Sequence, residues 1–179
     1  MNEQTAEKQE YRVQVREPEE AGGPLAFTFV PGEPHRNRRS VAARLSDRAT
    51  WIERASSLVD LVERWATEMG WATRRVEKKL DDARIGRHRV PALLMQQETF
   101  RVLLEPVGRS TPGADGVVDL YLMPAYDDIA SLYFCEGRWN LHYIFPGTTG
   151  VATVREAEAR PLTKESLEQV LAEMRRDAE

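Results

Sequence analysis

IASLYFCEGRWNLHYIF, residues 129–145, is the stretch on which the fold turns. Side chains of an extended strand alternate between two faces, and this stretch alternates twice around the turn-prone Glu136, Gly137 and Arg138. A two-residue turn at either Glu136-Gly137 or Gly137-Arg138 gives the same assignment. Ala130, Leu132, Phe134, Trp139, Leu141, Tyr143 and Phe145 share one face; Ser131, Tyr133, Cys135, Asn140, His142 and Ile144 share the other. The first set is apolar throughout, so the hairpin lays one face on a core and presents a mixed face on the other side.

The period of two continues upstream. VVDLYLM (117–123) precedes the turn PAYDD (124–128), and GRSTPGADG (108–116) is a loop by its Gly, Pro and Asp content. VPALLMQ and TFRVLLEPV form a hairpin closed near Gln97 and Glu98, which puts Leu93, Met95, Phe100, Val102 and Leu104 on one face. WATRRVEKKL (71–80) reads as a further strand whose cations suit a sheet edge or a partly solvated position. About six strands in an antiparallel meander result.

Helical spacing flanks the strands on both sides. Thr50 and Glu53 have the spacing of a capping box, Ile52, Ala55, Val59, Val62, Ala66 and Met69 follow as a stripe joined by Leu58 and Trp65, and Gly70 supplies the stop. At the other end Thr163 caps, Glu165 occupies the first turn, and Leu167, Val170, Leu171 and Met174 form the stripe. Leu162 and Leu167 fit a hydrophobic staple, and Arg175 and Arg176 suit the negative end of the helix dipole. The expected fold class is α+β: a mainly antiparallel sheet flanked by an N-terminal and a C-terminal amphipathic helix, both on one side. Residues 49–179 make the domain.

Residues 1–48 are rich in Glu, Pro, Gly and Arg and show no sustained helical period, so they read as a mobile tail. Within it YRVQV (11–15) and LAFTFV (25–30) alternate around EEAGGP, which predicts a hairpin or a strand that docks on a sheet edge.

The 179 residues, 41% apolar and 30% charged, contain no apolar run long enough for a membrane span, and MNEQTAEKQE lacks the features of a secretory leader. The expectation is a cytoplasmic protein without membrane contact. The single Cys135 excludes an intrachain disulfide and any site built from two thiolates. Charge is distributed in blocks. Residues 35–50 and 71–90 each carry a net +4, and residues 91–150 a net −4. A nucleic-acid footprint on the basic part is one reading; adjoining basic and acidic segments of one fold is the preferred one, since no aromatics interleave the arginines of 36–48.

Motifs of catalysis are incomplete. Gly108 and Gly113 have P-loop spacing, but Ala114 and Asp115 stand where Lys and Ser or Thr are needed. Cys135, His142 and Asn140 meet on one face without a helix start to activate the thiol. Glu77 and Lys79 form Glu-x-Lys on one face of a strand, and Asp119 offers a second carboxylate. This trio resembles that of the restriction-endonuclease-like PD-(D/E)xK enzymes, which implies magnesium held by carboxylates and a lysine aiding attack by water on phosphate. The order departs from that pattern, because here Asp119 follows Glu-x-Lys.

The leading expectation is a non-enzymatic binding or adaptor protein with no cofactor and no metal, acting on a protein partner or on itself. It rests on the second sheet face, where Leu94, Leu103, Tyr133 and Ile144 mix with Arg101, Glu105, Asn140 and His142, and Asp119 and Tyr121 adjoin them. Unless a helix covers it, a face of that mixture suits an interface or a ligand cleft.

Overall fold

Helix, meander and helix follow in the expected order in a computed structural model, which describes residues 11–15, 27–31 and 41–178. Two units are distinguished. In the first, β1 (Tyr11–Val15) pairs antiparallel with β2 (Phe27–Pro31), Val13 opposite Phe29, so these segments form a hairpin. The expected mobility of the other residues up to 40 lies outside the described residues.

The second unit begins with α1 (Val41–Glu68), which starts well before Thr50. The tail therefore does not extend to residue 48, and Thr50 does not cap. Its hydroxyl donates to the Ser46 carbonyl at 3.0 Å, a mid-helix arrangement. Distant contacts hold the first turns. Arg109 pairs with Asp47 at 3.0 Å, and the Arg48 guanidinium donates to the Arg87 carbonyl at 3.4 Å. The C-terminal end is as expected. Trp71 N–H donates to Ala66 O and Gly70 N–H to Thr67 O, with Gly70 at φ 82°, a left-handed stop that glycine adopts without steric cost.

Seven strands form one antiparallel sheet in sequence order: β3 (Ala72–Asp82), β4 (Gly86–Gln97), β5 (Phe100–Gly108), β6 (Val117–Met123), β7 (Ile129–Cys135), β8 (Arg138–His142) and β9 (Arg160–Pro161). The extra strand relative to six is β9, two residues that pair with Asn140 and Leu141. The β7–β8 register is the expected one, Leu132 opposite Leu141 and Phe134 opposite Trp139 around a turn in which Glu136 and Gly137 both have positive φ. Strand β8 ends at His142, short of Phe145. Only Leu93–Gln97 of β4 pairs with β5. The outer part of β3–β4 is a two-stranded ribbon, and there burial passes to His88, Val90 and Ala92, in keeping with the stronger twist of a ribbon lacking a third strand.

Helix α2 (Lys164–Asp177) is capped as expected: Ser166 N–H donates to Thr163 Oγ1 at 3.1 Å, and Thr163 N–H to Ser166 Oγ at 2.9 Å. Leu167, Val170, Leu171 and Met174 are buried, as are Trp51, Ala55, Leu58, Val59, Val62 and Ala66 of α1. Both stripes join Leu93, Met95, Val102, Leu104, Val118, Leu120, Leu132 and Leu141 in one core. The two helices thus serve the same sheet face. No helix among the described residues is long and apolar enough to cross a membrane.

Candidate functional site

Strands β4, β5 and β6 set the geometry of the second face. Leu94 stands opposite Leu103, Leu103 opposite Tyr121, Glu105 opposite Asp119, and Arg101 opposite Met123. Leu94, Leu103, Tyr121 and Met123 are half-buried, Arg101 is exposed, and none belongs to the core that the helices cover.

The middle of this face is polar and internally satisfied. Asp119 accepts from Tyr121 Oη at 2.9 Å and from Ser131 Oγ at 2.7 Å. Ser131 is itself buried on β7, opposite Asp119 in register. Glu105 takes its cation from outside its own hairpin: Lys78 of β3 reaches over to it at 3.1 Å. Burial, then the adjacent Asp119 charge and hydrogen bond, then Glu105, push the Tyr121 phenol above its ordinary pKa. Tyr121 is therefore held as a neutral donor, with the Tyr126 ring 5.3 Å away.

Farther along, the chain covers its own sheet. The loop before β9 carries a short 3-10 turn, Val154–Glu156, and lies over β7 and β8. His142 Nδ1 lies 2.9 Å from the Ala157 carbonyl oxygen, Tyr133 packs edge-on to the His142 ring at 4.9 Å, and the Arg155 guanidinium sits 5.8 Å from the Tyr133 ring centre. Arg155 also donates to Thr111 Oγ1 and the Pro112 carbonyl, tying this loop to the one before β6. Tyr133 and His142 are thus engaged inside the domain, and Ile144 lies past the end of β8. The expected surface divides: Arg101, Leu103, Glu105, Asp119 and Tyr121 remain together on the open part, whereas Tyr133, His142 and Ile144 do not belong to it.

The nuclease-like trio is not assembled. Asp119 shares its face with Glu105, to which Lys78 reaches, while Glu77 and Lys79 occupy the alternate positions of β3 and point the other way. Glu77 is engaged by Arg89 at 2.9 Å. Among the described residues no three His, Cys, Asp or Glu side chains gather as metal ligands. Cys135 is also separated from His142: it stands opposite Arg138, whereas His142 stands opposite Ser131, and its thiol donates to the Gly113 carbonyl at 3.3 Å.

Sequence reasoning did not single out Ser131, Lys78 or Arg155. Alternation placed Ser131 on the right face, and Lys78 follows from the same rule on β3. Arg155 comes from an irregular loop with no periodicity to read. Compared with protein-family models, curated proteins and solved structures, the chain matches none.

Proposed function

We propose that this protein is a non-enzymatic binding or adaptor module that receives a protein partner on the open part of its second sheet face. One observation carries the reading. Both helices serve the opposite face, which leaves Leu94, Leu103, Tyr121 and Met123 half-exposed around a polar centre whose hydrogen bonds are already made. A surface of this kind gains from burying its apolar rim, while the charges at its centre are already held by partners within the protein. Tyr121 is the natural anchor, because a tyrosine fixed by Asp119 loses little freedom on binding.

Leu103→Glu tests the reading. Leu103 is half-buried with its neighbours Leu94 and Tyr121, so a carboxylate there meets water in the free protein and a desolvated contact in the complex. Affinity capture from cell extract with the wild type, Leu103→Glu and the exposed control Arg64→Ala should retain the same proteins with wild type and control, and lose them with Leu103→Glu at unchanged circular dichroism. An identical set captured by all three rejects this face as the docking surface.

A further inference from the structure

Strand β3 is the long edge of the sheet, opposite the two-residue β9: among the described residues it pairs only with β4, and its register runs from Ala72 to Asp82 without a bulge. No proline interrupts it. An edge of that length offers a row of unpaired backbone groups, which proteins usually blunt. Here charges do the blunting, and their order along the strand is informative.

We infer that β3 pairs antiparallel with β3 of a second copy about a two-fold axis through Lys78, making one continuous sheet across the dimer. Residues directly opposite in an antiparallel ladder share their hydrogen-bonding sense, so the axis of a self-paired strand passes through a residue. With the axis at Lys78, Arg74 faces Asp82, Arg75 faces Asp81, Val76 faces Leu80, and Glu77 faces Lys79, each pair occurring twice. Every charged pair away from the axis is then of opposite sign, and the apolar residues meet each other. The neighbouring axes fail. At Glu77 the strand opposes Glu77 to itself and Arg75 to Lys79; at Lys79 it opposes Glu77 to Asp81; at Val76 it opposes Arg74 to Lys78.

Two further observations support the same register. Arg74 and Lys79 have no carboxylate partner within the described part of the chain, and Asp82 and Glu77 of the second copy supply one to each. The like pair at the axis is relieved from inside: Lys78 is drawn along its own sheet to Glu105 at 3.1 Å. Because the axis stands perpendicular to the sheet, both copies present their open faces on the same side. The dimer is therefore bivalent for a partner of the face proposed above, although the pairing itself does not depend on that proposal.

A charge exchange tests it. Glu77 and Lys79 are exposed, and the pair that Glu77 makes with Arg89 is solvated, so their replacement costs the monomer little. Sedimentation across a micromolar concentration series should give a dimer for the wild type. Glu77→Lys and Lys79→Glu alone should each weaken dimerisation by about tenfold or more, since each places like charges opposite twice. The double variant, which restores opposite signs, should recover the wild-type constant. Oxidation of Lys78→Cys in a Cys135→Ser background should cross-link the dimer at its axis, where opposite Cα atoms are about 4.5–5.5 Å apart. A monomeric wild type, a dimer indifferent to the single changes, or a double variant no better than the singles overturns the inference.

Discussion

Glu105 and Asp119 stand directly opposite each other on β5 and β6, two carboxylates in cross-strand register on one sheet face. Such a pair is unfavourable unless each charge is compensated. Here the compensation is divided: Asp119 is met by two hydroxyls, Tyr121 and Ser131, and Glu105 by Lys78 from a strand that is not its neighbour. The polar centre of the open face thus ties the edge strand to the middle of the sheet.

Removal of the lysine charge should therefore expose the repulsion. Lys78→Met is expected to lower the stability of dilute protein by about 1 kcal/mol, a modest figure because the pair is partly solvated. Adding Glu105→Gln should return most of the loss, as no second carboxylate is then left facing Asp119. Urea unfolding of the two variants measures the difference. A double variant as unstable as the single one would mean that Lys78 acts through packing of its stem instead.

Tyr121 gives a pH dependence of definite sign. Its phenol is raised above the ordinary value by burial, then by Asp119 and Glu105. An acid whose pKa is raised in the folded state contributes stability that is complete below the unfolded pKa of about 10 and is lost progressively as pH rises from there through the folded pKa. Tyr121→Phe removes this dependence together with the bond to Asp119. The variant should be less stable than wild type near pH 8, by about 1 kcal/mol for the lost hydrogen bond, and the gap should close above pH 10. Unfolding measured at both pH values checks it; a gap that does not change with pH would show that Tyr121 ionises freely in the folded chain.

Local patterns carried most of the architecture. The alternation of 129–142 gave the β7–β8 register, and the Thr163 cap and its stripe gave α2, because these features depend on neighbours in sequence. What escaped depends on distant partners. The start of α1 is held by Arg109 and by the Arg87 carbonyl, and nothing near Val41 announces either. The two-residue β9 is too short to show a period. The division of the second face follows from a loop laid over Tyr133 and His142, whereas alternation reports the side a residue faces and not what returns to cover it. The same rule separates Glu77 and Lys79 from Asp119 once the register across β4 and β5 is known, which a single strand does not supply.

At Gly116, just before β6, the Trp51 ring of α1 packs directly against the backbone, and replacing the glycine tests that packing. A Cβ at this position would stand 2.9 Å from Trp51 Cζ3 and 3.3 Å from Trp139 Cη2. Trp51 is fully buried, so its ring has no solvent to retreat into. Arg54, one turn on, fixes the same region by donating to the Asp115 carbonyl at 2.7 Å and lying 3.9 Å over the Phe134 ring. Gly116→Ala should therefore cost about 1–3 kcal/mol, the usual range for overpacking, and shift the tryptophan emission of the folded state. Gly108→Ala is the comparison, since a Cβ there meets nothing within 4 Å. Equal thermal stability of the two variants would mean that the Trp51 ring does not rest against Gly116.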